Sequence, residues 1–257
     1  MYKIVFLDID GTLVNEDKII PKCNVEAVQK LKQNGFEVVL ATGRPPYHFD
    51  FIKKQLGIDS FVSCNGAYTC YKGKTIQATA FDKKHIKKLL ELSKENNHPL
   101  VFSSHEKTVS NAKDHQEIIE SFDYLKINYS PDFEPYFWKK EEIYQIMLYC
   151  KEHEEPFYHQ AIKELSFVRW HPYSVDVIPP NVSKVTGIKA VLNHLGFKRV
   201  EAIAFGDGLN DREMLNFVGM GIAMGNAHDK LKPHADMVTR SVDNGGISFA
   251  LNQLQII

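Results

Sequence analysis

Asp8 and Asp10 stand one residue apart at the end of a short apolar run, Ile4-Val5-Phe6-Leu7. Far along the chain a second apolar run, 201–205, ends in Gly206-Asp207-Gly208-Leu209-Asn210-Asp211. A buried carboxylate is costly unless something pairs with it. Several at one site repel and raise one another's pKa unless a cation binds among them. Hard oxygen ligands without clustered Cys or His favour Mg²⁺ over zinc or copper, and Mg²⁺ usually completes its shell with waters and a substrate phosphate. Thr42, in Thr42-Gly43-Arg44 after a third apolar run, is expected at a helix N-terminus, where free N–H groups cradle phosphate. Lys184 is the expected opposing cation. The set predicts a Mg²⁺-dependent phosphate site in which an aspartate could itself be the nucleophile.

Such residues need a scaffold that gathers them, and the sequence supplies one. Ile4–Leu7 is a continuous apolar run, as expected of a strand covered on both faces. Val25, Val28 and Leu31 recur at helical spacing, with Gly35 beyond the end. Strands are expected at 37–41 and 61–64, separated by a helix that carries Phe49, Ile52 and Leu56 and closes at Gly57. The pattern returns near the end: a helix with Ile188, Val191, Leu192 and Leu195, a strand at 201–205, and a helix with Met214, Leu215 and Val218. Short strands are expected at 221–224 and 237–239. Alternating strands and helices predict an α/β fold, a Rossmann-like parallel sheet with helices on both faces. Ligands bind such sheets beyond the carboxyl ends of the strands, where Asp8-Ile9-Asp10-Gly11-Thr12, Thr42-Gly43-Arg44, Asn65-Gly66-Ala67 and the 206–211 cluster lie. Residues two apart on a strand point the same way, so Asp8 and Asp10 are expected to reach one phosphate together. Gly11 frees the chain to turn away after them.

The middle of the chain departs from this rhythm. Residues 83–183 hold 15 of the 29 aromatics and 7 of the 11 histidines, which sets the stretch apart as an inserted α+β domain. Helices are expected around 85–95 and 154–165, and antiparallel strands at 143–150 and 166–170. The expected division is a core of 1–82 and 184–257 with a cap of 83–183 that closes over the site and excludes water. The formal net charge of −1 points to no nucleic-acid polymer or anionic membrane surface. No apolar stretch nears the ~20 residues that span a bilayer. The four cysteines form no C-x-x-C pair, and the chain opens on a strand rather than a leader, so a cytoplasmic protein is expected.

Asp8-Ile9-Asp10-Gly11-Thr12, Thr42-Gly43-Arg44, Lys184 and the 206–211 cluster resemble the four ordered motifs of the haloacid dehalogenase superfamily. "GDGLNDREML" and "GIAMGNA", with an insert between the second and third motifs, are similar to its Cof-like type IIB phosphatases. The resemblance implies a C2B-type cap and a phosphoric monoester hydrolase. It implies Asp8 as nucleophile and Asp10 as general acid/base, with Mg²⁺ on the Asp8 side chain, the Asp10 carbonyl and Asp207. Phosphate would touch the Ile9 N–H, Thr42, Gly43, Lys184 and Asn210, with Asp211 orienting its neighbours. The implied substrates are small phosphorylated metabolites: sugar phosphates, nucleotides, or a phosphorylated cofactor such as a flavin or pyridoxal phosphate. The family carries glycine directly after the lysine; here Val185 follows and glycine comes at 187.

Plainer readings exist for single residues. Asp-x-Asp-Gly alone is a turn signal, Thr42 alone an N-cap, and Lys184 alone a solvated lysine. Arg44 suits a phosphate contact or a surface ion pair, and Asn65-Gly66 a turn or a place near substrate. His105, His115, His153 and His171 show no metal-ligand spacing, while Trp138 and Trp170 read as cap core. A phosphosugar mutase would share every core residue. A receiver-type phosphorylation switch would not need Asp10 or the insert, and a non-catalytic sensor of phosphorylated ligands would not need Asp8.

Overall fold

A computed structural model describes residues 1–127 and 129–257. The chain forms two units: Met1–Thr42, Phe49–Gln77 and Ser183–Ile257 in one, Gly43–His48 and Ala78–Val182 in the other.

The first unit is built on an eight-stranded sheet. Its order is Met237–Val238, Met220–Ala223, Ala202–Gly206, Ile4–Leu7, Glu37–Ala41, Phe61–Ser63, Tyr68–Tyr71 and Lys74–Ala78. The first six strands run parallel, as expected. Tyr68–Tyr71 departs from that expectation and pairs antiparallel with Phe61–Ser63. Only the tight turn Cys64–Gly66 and Ala67 separate the two strands, too little chain for a parallel crossover. Helices lie on both sides of the sheet. Every side chain of Ile4–Leu7 is fully buried, and each contributes roughly 1.5–3 kcal/mol. The strand that leads to Asp8 is therefore a rigid mount.

Register decides what meets at its end. Leu7 lies opposite both Phe205 and Leu40. One or two residues further on come Asp8, Asp207 and Thr42, on one edge of the sheet. The chain runs from Ile4–Leu7 to strands on one side, then returns at Ala202–Gly206 on the other. That reversal is the switch point at which open sheets hold ligands.

Several helices are displaced from their expected bounds. The helix expected at 188–195 begins at Lys184. Pro45 and Pro46 delay the helix after Thr42: a 3₁₀ turn spans Pro46–Phe49 and the α-helix starts at Asp50. Thr42 thus stands at a strand end and not at a helix N-terminus, contrary to the sequence reading.

The second unit carries a six-stranded sheet in the order Ser166–His171, Ser174–Ile178, Gln145–Tyr149, Leu100–Ser103, Thr108–Ser110 and Asp132–Phe133. All its pairs are antiparallel except the last. Phe102, Ile146, Leu148, Val175 and Val177 pack with Ile86, Leu89 and Tyr158 of the helices Lys83–Glu95 and Glu155–Ala161. The alternate residues Val101, Met147 and Tyr149 pack with Ile118 and Phe122 of Gln116–Tyr124. Trp138 lies in the first of these clusters. Among the described residues, no helix is long and apolar enough to cross a membrane.

Candidate active site

The strand Ile4–Leu7 stops one residue short of Asp8, so strand alternation does not govern Asp8 and Asp10. The Ile9 carbonyl instead accepts the N–H groups of Leu13 and Val14, at 2.9 and 2.8 Å. The chain thus turns back at Ile9, between the two carboxylates, and the Asp10 charge still acts on Asp207. Asp8 joins Asp207 and Asp211, with one ligand oxygen from each lying within 4.8 Å of the others. Asp10 instead meets Lys18, whose Nζ lies 2.7 Å from its Oδ1.

Gly11 makes the close approach possible. Its φ of +71° is one that glycine adopts freely, and a Cβ there would overlap the Asp207 carboxylate. The Thr12 hydroxyl donates to Asp207 Oδ1 at 2.9 Å. Asn226, in the "GIAMGNA" stretch, donates to the Gly11 carbonyl at 2.7 Å and holds the turn.

Lys184 is buried, not solvated: its side chain is 1% exposed. Its Nζ donates to Asp8 Oδ1 and Asp211 Oδ1, both at 2.6 Å. Asp211 Oδ2 accepts the N–H groups of Asp207 and Gly208, at 3.0 and 2.9 Å. Both oxygens of Asp211 are therefore engaged by protein donors. Burial alone would push the Lys184 pKa down, but the carboxylates of Asp211 and Asp8 outweigh it and hold the ammonium charged. Burial pushes Asp8 well above the usual carboxylate range, Lys184 opposes this, and the charges of Asp211 and Asp207 add to it. Asp207 is raised to about 7, by burial first and by Asp211 second. A single ammonium does not balance this cluster, and a divalent cation among the oxygens would.

The remaining expected residues lie as follows. The Thr42 N–H donates to the Val62 carbonyl at 2.8 Å, so it is not the free amide of a helix start. Gly43 is the first residue of the short segment grouped with the second unit. Asn210 donates from Nδ2 to Asn65 Oδ1 at 3.1 Å. Asn65 is itself buried with φ +52°, inside the turn that the sequence marked as Asn65-Gly66. A Cβ on Gly66 would overlap the Ser183 carbonyl, so this turn also seats the start of the Lys184 helix. Arg44 is buried and donates to the His48 carbonyl at 3.3 Å, which places it inside the protein and not in a surface ion pair. A Cβ on Gly187 would overlap Val62 and come within 2.7 Å of Thr69 Oγ1. The displaced glycine therefore lets the Lys184 helix pack closely against the sheet. Among the described residues, no histidine joins the carboxylate cluster.

Thr12, Lys18 and Asn226 are not among the expected site residues, and Asn65 reads in the sequence only as a turn or a place near substrate. Thr12 and Asn226 had a signal, lying inside quoted motifs. Lys18 had none, because its pairing depends on the shape of a turn.

The family description of haloacid dehalogenase-like hydrolases matches residues 5–251. The chain belongs to this family. As a haloacid dehalogenase-like hydrolase it is 39% identical over 255 residues to a Bacillus subtilis (strain 168) protein named "Putative phosphatase YkrA". That match covers 99% of this chain and 98% of the relative. A hypothetical protein of Geobacillus kaustophilus HTA426 is 46% identical with a TM-score of 0.92, over 100% of both chains. A subclass IIB sugar phosphatase of the same superfamily is 30% identical with a TM-score of 0.89, over 99% of this chain and 100% of its own. These relatives support the phosphoric monoester hydrolase expected from the sequence.

Proposed function

We propose that this hydrolase releases phosphate from small phosphorylated metabolites through an aspartyl-phosphate on Asp8, with Mg²⁺ as cofactor. The observation that carries the reading is the convergence of Asp8, Asp207 and Asp211 on one point, with the Lys184 ammonium held against Asp8. The donors are all hard oxygens, which fits Mg²⁺. Since both oxygens of Asp211 are engaged, the side chains of Asp8 and Asp207 and the Asp10 carbonyl would hold the ion. Bound there, Mg²⁺ offsets the repulsion between carboxylate and phosphate and stabilises transition-state charge.

In the first step an Asp8 oxygen attacks phosphorus, the bond to the ester oxygen breaks, and Asp10 gives that oxygen a proton. In the second step water attacks the phosphorus of the aspartyl-phosphate and Asp10 takes its proton. Inorganic phosphate leaves and the Asp8 carboxylate is restored. The phosphate oxygens would be held by the Ile9 N–H, the Thr42 hydroxyl, Gly43, Lys184 and Asn210. Asp211 would keep Lys184 in place, and Asn65 would do the same for Asn210. The kinship with a sugar phosphatase favours a sugar phosphate over the other classes, and the cysteine pattern favours a cytoplasmic setting.

A phosphate-release screen over sugar phosphates, nucleotides and phosphorylated cofactors tests this, run with Mg²⁺, with chelator, and with Asp8→Asn. Release is expected only in the first condition. Activity that survives both the chelator and the substitution would overturn the mechanism, and transfer of phosphate within a sugar, without release, would make the protein a mutase.

A further inference from the structure

Lys18 and Asp10 form an ion pair at 2.7 Å, with side chains 11% and 36% exposed respectively. Lys18 does not reach Asp10 by chance of a loose loop. The Asn15 N–H donates to the Ile19 carbonyl at 3.0 Å, and the Lys18 N–H to the Asn15 carbonyl at 2.9 Å. Asn15 Oδ1 accepts the Ile19 N–H at 3.1 Å, and Asn15 Nδ2 donates to Asp243 Oδ1 at 2.9 Å. The turn is thus closed on itself and pinned to the Val242–Asn244 turn. Within it Lys18 adopts φ +60°, a left-handed conformation that costs a non-glycine residue on the order of 1 kcal/mol. A partly exposed ion pair contributes about 0–1 kcal/mol, which does not clearly repay that strain and the ordering of a long side chain. Stability alone is a weak reason for the arrangement.

We propose that Lys18 is a positioning residue for Asp10: its ammonium fixes one carboxylate oxygen and keeps that carboxylate out of the Asp8–Asp207–Asp211 cluster. Four acidic side chains lie on this edge of the sheet. A flexible carboxylate two residues from Asp8 could swing to the cation site, and there it could not transfer a proton to the leaving oxygen. Lys18 holds it apart and sets the direction of its second oxygen. The proposal rests on the reading that Asp10 is the general acid/base.

The test compares Lys18→Met, Lys18→Arg, Asp10→Asn and the double variant Asp10→Asn/Lys18→Met. The probes are p-nitrophenyl phosphate, whose leaving group departs without a proton, and ribose 5-phosphate, whose leaving alkoxide needs one. With ribose 5-phosphate, Lys18→Met is expected to lower kcat/KM about ten- to hundred-fold, less than the roughly 10²–10⁴-fold contribution of a general acid because Asp10 itself remains. With p-nitrophenyl phosphate the loss should be no more than about three-fold. Lys18→Arg should recover most of the activity, and Lys18→Met should add little in the Asp10→Asn background. Equal losses on both probes, or equal losses in Met and Arg variants with a lowered Tm, would show a merely structural lysine and overturn the proposal. Unchanged activity in Lys18→Met alongside a large loss in Asp10→Asn would overturn it alone. Full activity on ribose 5-phosphate in Asp10→Asn would overturn the reading on which it rests.

Discussion

Lys184 and Asp211 are joined by a 2.6 Å bond between two side chains that are almost wholly inside the protein, 1% and 0% exposed. Asp211 also binds the Asp207 and Gly208 N–H groups, so one residue fixes both the ammonium and the loop that carries Asp207. Breaking one partner of a buried pair typically costs about 3–5 kcal/mol, because the other charge is left uncompensated. Asp211→Ala is expected to lose stability in that range by urea denaturation, and Asp211→Asn less, since it keeps an acceptor for the N–H groups. A loss below about 1 kcal/mol in the alanine variant would show that Lys184 does not depend on Asp211.

Gly187→Ala has an expected sign opposite to the usual one. In an open helix interior the change stabilises by about 1 kcal/mol. Here the added methyl would overlap Val62 and crowd Thr69, and overpacking typically costs about 1–3 kcal/mol. The variant should have a lower Tm than the parent, and an unchanged or higher Tm would mean that the helix has room to spare.

The carboxylate cluster makes stability depend on pH when no cation is bound. Asp207 is raised to about 7 in the fold, from an ordinary value of 3.8. The folded protein therefore binds more protons than the unfolded chain between those values. Stability is full below pH 4 as far as this group is concerned, and it falls by up to roughly 1.4 kcal/mol per unit as pH rises toward 7. Thermal unfolding with chelator should show this slope, and Mg²⁺ should flatten it by stabilising the ionised cluster. Asp207→Asn should reduce the slope, leaving the part that buried Asp8 contributes, and should weaken the Mg²⁺ response. A wild-type Tm indifferent to Mg²⁺ would count against a cation site here.

His48 gives a second pH dependence of opposite sign. Its ring is buried against Tyr47, Phe122 and Tyr129. Burial, helped by the Arg44 charge, lowers its pKa from 6.5 to about 3. Between those values only the unfolded chain binds the proton, so this contribution is complete above pH 6.5 and is lost as pH falls toward 3. At pH 5 the loss is on the order of 2 kcal/mol. The Tm difference between pH 7.5 and pH 5 should shrink in His48→Gln, and an equal difference in both proteins would refute the buried neutral imidazole.

Much of the core was legible because its strands are continuous apolar runs and its motifs sit where those runs end. Glu37–Ala41 has the bounds its residues predict, and the Gly57 cap has the expected left-handed φ of 62°. What escaped the sequence depends on contacts between distant residues. Thr42 reads as a helix start because threonine is a common N-cap, yet Pro45 and Pro46 follow and the α-helix begins only at Asp50. The strands Leu100–Ser103, Thr108–Ser110 and Ser174–Ile178 were missed because they are short and mix serine and threonine with apolar residues. Pairing across the sheet, and not local propensity, fixes them. In the site, Asp8, Asp207 and Asp211 were legible as a group. The pairing of Asp10 with Lys18 and of Asn65 with Asn210 was not, since each arises from a turn whose backbone has positive φ at a non-glycine residue.

The most direct test of the account is to trap the covalent intermediate. Borohydride added during turnover, with Mg²⁺ and a phosphate ester that the enzyme cleaves, reduces an aspartyl-phosphate to homoserine, which peptide mass analysis locates. The account predicts homoserine at position 8, none in the absence of substrate, and loss of turnover in Asp8→Asn. Turnover that proceeds with Asp8 unmodified, or that persists in Asp8→Asn, would contradict it.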